Sequence, residues 1–130
     1  MINVLIADDH AIVRQGLKQI LSDIPDMRVG GEAADGQEAL HEVRNKAYDV
    51  LVLDLSMPGM SGDETYARIR EDFPDLPVLC CSGHGEKAGA DWVRGKSNVG
   101  FLSKPFTYRE LVDPLRKLLS SVTSMSPESV

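Results

Sequence analysis

The feature that most constrains the fold is the segment "VLVLDL" at positions 50–55, where Val50, Leu51, Val52, Leu53 and Leu55 surround a single acid, Asp54. A strand with no polar alternation is stable only when both of its faces are covered. Three more runs of this kind occur: "NVLIA" at 3–7, "PVLCC" at 77–81 and "VGFLS" at 99–103. A weaker one, "RVGGEAA", lies at 28–34. The segments between them have helical period. In "HAIVRQGLKQILSDI" the residues Ile12, Val13, Leu17, Ile20, Leu21 and Ile24 recur at three- and four-residue steps, with Arg14, Gln15, Lys18 and Gln19 off that stripe. "GQEALHEVRNK", "GDETYARIREDF" and "TYRELVDPLRKLLSS" behave alike. Strands alternating with helices, joined by right-handed crossovers, predict an α/β doubly wound sandwich whose parallel sheet carries helices on both faces.

A chain of 130 residues, 42% of them hydrophobic, is the right size for one such sandwich. Its net charge of −6 and the lack of a clustered Lys/Arg face exclude direct nucleic-acid binding, which needs cations against phosphates. No apolar run approaches the roughly 18 residues of a membrane span, and "MINVLIADDH" has no basic region ahead of a signal core, so a cytoplasmic location is expected. Cys80 and Cys81 are chain neighbours, which points them to opposite faces of one strand as ordinary buried thiols. The end of the chain, "SSVTSMSPESV", loses periodicity; we expect a domain over 1–120 and a flexible tail or linker over 121–130.

Two segments break the helical pattern. Gly85, Gly89 and Gly95 interrupt "HGEKAGADWVRGKSN" between the fourth and fifth strands. At about 1 kcal/mol each relative to Ala, they predict a short or frayed helix on a plastic face, with Trp92 as its exposed or half-exposed contact. Pro114 falls inside the last helical segment and predicts a kink or a late start, since an interior proline costs about 3 kcal/mol.

In an open α/β sheet, ligands bind beyond the carboxyl ends of the strands. Those ends hold Asp8 and Asp9, Asp54, Ser82 with Gly83, and Lys104 with Pro105. Two unit charges about 4 Å apart repel by roughly 4 kcal/mol at an effective dielectric near 20, so three convergent carboxylates call for a cation. A hard divalent ion with oxygen ligands fits, and Mg²⁺ suits a site that also handles phosphate. A carboxylate nucleophile, a metal, an ammonium and a hydroxyl together suit phosphoryl transfer. Taken singly, each residue has a plainer reading: Asp8 or Asp9 as a helix cap, Asp54 as a turn-former before "SMPG", Lys104 as a solvated charge, Ser82 as a cap.

The motifs "ADD", "LDLSMPGMSG", "CSGH" and "FLSKPF" closely resemble the receiver domain of two-component response regulators, over residues 2 to about 120. The opening "IADDHAIVRQGLKQIL" is similar to regulators with a helix-turn-helix output domain, and "GFLSKPFTYRELVDPLRKLL" to receivers of hybrid histidine kinases. The resemblance implies a flavodoxin-like (βα)5 sandwich with strand order 2-1-3-4-5. It implies that Asp54 accepts a phosphoryl group from a phosphohistidine on a sensor kinase or phosphotransfer protein. Asp9, Asp54 and the backbone carbonyl of Ser56 would hold Mg²⁺, with Asp8 acting through water. Lys104 would pair with Asp54, then with the phosphoryl oxygens. Ser82 and the backbone N–H groups of Ser56 and Gly83 would complete the cradle, and Phe101 would turn inward as Ser82 moves. Lys104–Pro105 would be a cis bond, and Ser56 and His84 would tune dephosphorylation. Output would pass to an effector domain or a homodimer. The rival is an Mg²⁺-dependent phosphatase with an aspartyl nucleophile. That chemistry needs a second acid two residues on, where this chain has Ser56. No glycine-rich nucleotide motif with a trailing Lys-Ser/Thr occurs either.

Overall fold

The computed structural model describes residues 1–57, 59–83, 91–96, 98–104 and 106–124. Five strands, β1 (Ile2–Ala7), β2 (Met27–Ala33), β3 (Val50–Asp54), β4 (Val78–Ser82) and β5 (Val99–Ser103), alternate with the helices α1 (Ala11–Ser22), α2 (Gly36–Asn45), α3 (Gly62–Asp72) and α4 (Tyr108–Ser124). The sheet is parallel with order β2-β1-β3-β4-β5, a flavodoxin-like arrangement. Every apolar run of the sequence became a strand, and β3 and β4 are buried along their whole length.

Strict alternation along β3 divides the core in two. Val50 and Val52 join Leu17 and Leu21 of α1 and Leu111 and Leu115 of α4; Leu51 and Leu53 join Leu40 and Val43 of α2 and Ile69 of α3. Cys81 lies in the first cluster and Cys80 in the second, the opposite-face placement their adjacency predicts. Ile12 departs from its expected stripe and is 86% exposed. Successive helical residues are rotated by about 100°, and the arc that meets the sheet is centred on Val13, Leu17, Ile20 and Leu21, which leaves Ile12 outside it.

Pro114 neither ends nor delays α4. Leu111 and Leu115 flank it with no exposed surface, and burying two leucines contributes about 3–6 kcal/mol against the roughly 3 kcal/mol an interior proline costs. The helix backbone also continues through 121–124, past the expected end of the domain. Between β4 and β5, residues 91–93 are helical and Gly95 takes φ +78°. Gly85, Gly89 and the tail from 125 lie outside the described residues. Trp92 is half-buried: its ring meets Tyr66 of α3 edge-on at 5.2 Å, its indole N–H donates to Asp63, and the Lys96 ammonium sits 4.4 Å from the ring centroid. No helix among the described residues is long and apolar enough to cross a membrane.

At the edge, β2 carries a bulge: Val4 pairs with Val29 and Leu5 with Gly31, so Gly30 is the extra residue. The turn from β3 into α3 depends on Gly62, since a Cβ there would lie 2.5 Å from Leu55 Cα. Gly62→Ala is therefore expected to lower stability by about 1–3 kcal/mol, read as a shift of the urea midpoint at constant m-value. Burial pushes the Cys81 thiol up to about 12 and also raises that of Cys80. Neither sulfur should react with a thiol reagent at neutral pH except at the rate of global opening, and denaturant should release both together.

Candidate functional site

The parallel register determines what meets at the carboxyl edge. Asp54 ends β3 opposite Cys81, Ser82 ends β4 opposite Ser103, and Asp8 and Lys104 follow β1 and β5 directly. Asp8, Asp54 and Ser82 are each 2% exposed. The Lys104 ammonium donates to Asp8 Oδ2 at 2.9 Å and lies 3.5 Å from Asp54 Oδ2, while its backbone N–H donates to the Ser82 carbonyl. Lys104 thus bridges both acids, and its hydrogen bond goes to Asp8 rather than to Asp54.

Neither Asp8 nor Asp9 caps α1. The N-cap is His10, and no side chain caps the helix. The carboxylate of Asp8 instead accepts from the His10 N–H at 2.8 Å. Asp54 does form the turn its position suggests, with Oδ1 accepting from the Ser56 N–H at 3.0 Å. That occupies one oxygen only. Asp54 Oδ2 and Asp9 Oδ1 are buried without a hydrogen-bond donor. Lys104 approaches the first closely enough for charge attraction, and His10 Nδ1 approaches the second at 3.1 Å, but neither has the alignment of a hydrogen bond.

Ligand atoms of Asp8, Asp9, His10 and Asp54 all lie within 4.8 Å of one another. Three carboxylates facing one lysine leave an excess of negative charge, and buried oxygens lacking donors are costly. Such a hard, anionic donor set fits a divalent cation. Ser56 is exposed beside it, and Gly83 is exposed with open space where a Cβ would stand. Phe101 is half-buried and packs against the core on the α2 and α3 side, the side away from Leu102. His84, Pro58 and Pro105 lie outside the described residues.

Two contributors were not singled out by their sequence. His10 stands within 3.1 Å of both Asp8 and Asp9. Arg14 reaches from α1 to donate to the Asp8 carbonyl and to Glu32 of β2, which ties the end of β1 to its edge neighbour. The triplet "DDH" was a signal for the first; the second had none, because a charged residue off the apolar stripe reads as solvated.

Burial disfavours the Lys104 ammonium, but its hydrogen bond to Asp8 and the charges of Asp54 and Asp8 outweigh this and raise its pKa. A raised folded-state pKa contributes stability that is complete below the ordinary lysine value and is lost as pH rises through the higher one. The pairing is therefore constant across neutral pH. Without divalent cations, Asp54→Asn should stabilise the fold by on the order of 1 kcal/mol by removing one of three mutually repelling carboxylate charges. The unsubstituted chain should gain about 2.7 kcal/mol from a cation at a hundred times its Kd, and the variant much less. Thermal melts with and without the ion check both signs.

The family described as "Response regulator receiver domain" matches residues 4–116. The response regulator UvrY of Escherichia coli K12 is 38% identical over 120 residues, covering 92% of this chain and 55% of UvrY, so the chain spans about half the length of that relative. Among solved structures, the response regulator domain of Thermotoga maritima CheB superposes with a TM-score of 0.79 at 30% identity, covering 98% of this chain and 99% of that one. RcsB from Salmonella enterica serovar Typhimurium, bound to the promoter rprA in the presence of the phosphomimetic BeF3⁻, gives a TM-score of 0.84 at 29% identity over 93% of this chain and 63% of its own.

Proposed function

This chain belongs to the response regulator receiver domain family, the phosphoacceptor signalling domains of two-component systems, and on that premise we propose that Asp54 is its phosphoacceptor, supplied by a histidine kinase or a phosphotransfer protein. The observation that carries the assignment is the state of the Asp54 carboxylate. It is 2% exposed at a strand end, with one oxygen held by the Ser56 N–H and the other without a hydrogen bond and 3.5 Å from the Lys104 ammonium. A carboxylate oriented through one oxygen and unencumbered at the other is prepared for in-line attack.

In the transfer, an Asp54 oxygen attacks phosphorus, the N–P bond of the donor breaks, and its imidazole leaves. Lys104 moves from the carboxylates to the phosphoryl oxygens and neutralises developing charge. The Ser82 hydroxyl, at the end of β4, donates to one of those oxygens, and the N–H groups of Ser56 and Gly83 approach the others. Mg²⁺ held by Asp9, Asp54 and the Ser56 carbonyl, with Asp8 acting through water, would supply the remaining positive charge. The acyl phosphate adds about −1.5 to −2 charge, which draws Ser82 inward and gives Phe101 room to turn from its half-buried position. Water then hydrolyses the acyl phosphate, at a rate that Ser56, which is exposed, and His84, the neighbour of Gly83 in the chain, would tune. The chain catalyses only its own phosphorylation and dephosphorylation.

The phosphatase reading is not favoured. Position 56, where that chemistry places its acid/base, is a serine, and its backbone is committed to Asp54. We place residues 1–120 as a cytoplasmic receiver that contacts no nucleic acid itself. Its output passes to an effector domain or a homodimer, as the longer chain of UvrY and the promoter-bound state of RcsB suggest. Acetyl phosphate with Mg²⁺ should add one phosphoryl mass to the chain, lost in Asp54→Asn and formed about 10-fold or more slowly in Lys104→Ala. Beryllofluoride should shift the amide resonances of Ser82 and Phe101 in the parent chain only. Phosphorylation that survives Asp54→Asn overturns the assignment.

A further inference from the structure

His10 is the member of the acidic cluster that phosphoacceptor chemistry leaves without a part. Its Nδ1 lies 3.1 Å from Asp8 Oδ1 and 3.1 Å from Asp9 Oδ1, and its donor nitrogen is within 4.8 Å of a ligand oxygen of Asp54 as well. The start of α1 holds the residue there: its N–H donates to Asp8 Oδ1 at 2.8 Å, and its carbonyl accepts from the Arg14 N–H at 3.0 Å. The ring itself is 62% exposed, and its direction toward the carboxylates is set by the polar contact of Nδ1 with Asp8 Oδ1 rather than by burial.

The spacing matches that of coordinated atoms. On an octahedral ion with bonds near 2.1 Å, adjacent donors stand about 3.0 Å apart and opposite ones about 4.2 Å apart. The His10 nitrogen stands at the adjacent spacing from the Asp9 oxygen, and at the same distance from the Asp8 oxygen. An independent sign that the cluster is built to be completed is that Asp9 Oδ1 and Asp54 Oδ2 are buried without a donor, and Asp54 is 2% exposed.

We propose that His10 is a further side-chain ligand of this cation site beside Asp9 and Asp54, an imidazole nitrogen that shifts its preference from Mg²⁺ toward later first-row ions such as Co²⁺. The inference rests on the reading of Asp8, Asp9 and Asp54 as the cation site. Mg²⁺ is satisfied by oxygen donors and gains little from a nitrogen, whereas affinity for nitrogen rises along the first row. The ring can therefore swing out when Mg²⁺ binds and close on Co²⁺. The opposing reading makes His10 an internal counter-charge, donating Nδ1–H to the carboxylates and displaced by any cation. The two differ in sign, because removing a ligand weakens binding of the nitrogen-seeking ion, while removing a competitor strengthens binding of every ion.

The test titrates the full chain with Mg²⁺ and with Co²⁺ by calorimetry, and records the proton spectrum of the Co²⁺ form. We expect Co²⁺ to bind at least about 10-fold more tightly than Mg²⁺. His10→Ala should weaken Co²⁺ about 10-fold or more, leave Mg²⁺ within about twofold, and remove a set of hyperfine-shifted imidazole ring protons. Unchanged or equally strengthened binding of both ions in His10→Ala overturns the proposal, as does a Co²⁺ spectrum that His10→Ala leaves intact. Asp54→Asn separates the two layers. If it weakens both ions while His10→Ala changes nothing, the His10 assignment alone falls; if both ions survive it, the site reading and this inference fall together. The N-cap side chain makes no capping bond, so the His10 variant keeps the helix start intact.

Discussion

A parallel sheet buried on both faces can place charge only at its rim. Every side chain of β3 from Val50 to Leu53 is committed to one core or the other, so the first position where a carboxylate can be met by polar partners is Asp54. The same holds for β1, which is apolar and buried from Val4 to Ala7 before Asp8. Functional groups therefore gather at one edge because the strands run in one direction and end in register. The interaction that makes this edge tolerable is the Lys104 ammonium between Asp8 and Asp54. One lysine does not balance three acids, and the remaining negative charge makes the cluster compatible with a bound cation.

The surrounding structure fixes these groups through backbone more than through side-chain contacts. The Lys104 N–H is tied to the Ser82 carbonyl, the Leu55 N–H to the Cys81 carbonyl, and the Asp8 N–H to the Ala33 carbonyl, so the sheet ladder itself extends to the residues that carry the chemistry. The approach of Gly62 to Leu55 brings the start of α3 against the loop after Asp54. On the other side, Arg14 holds the Asp8 carbonyl from α1. A site built on ladder hydrogen bonds keeps its geometry while its side chains exchange partners, as transfer of a phosphoryl group requires.

Much of this was legible in the chain because its signals are local or periodic. Unbroken apolar runs marked the strands, three- and four-residue steps marked the helices, and the strand-end rule located Asp8, Asp9, Asp54, Ser82 and Lys104 before any contact was known. What misled was also physical. Ile12 fits an apolar stripe by counting but lies outside the arc that meets the sheet. Pro114 is costly by propensity, yet two buried leucines hold its helix together. Trp92, expected as an exposed or half-exposed contact, is half-buried, and what the sequence did not show is that Tyr66, Asp63 and Lys96 engage it, residues whose meeting depends on how α3 sits beside the segment that follows β4.

The sequence by itself determined the layer architecture, the edge at which the polar groups converge and the acids found there, because hydrophobic period and strand direction follow from residue order alone. Only the tertiary structure decided how those charges share partners. It gave the hydrogen bond of Lys104 to Asp8, left one oxygen of Asp54 without a donor, and turned His10 toward two carboxylates. The reason is range: a pairing between residues 8 and 104 is set by differences of a few tenths of an ångström between atoms that 95 intervening residues bring together, and no local pattern encodes that distance.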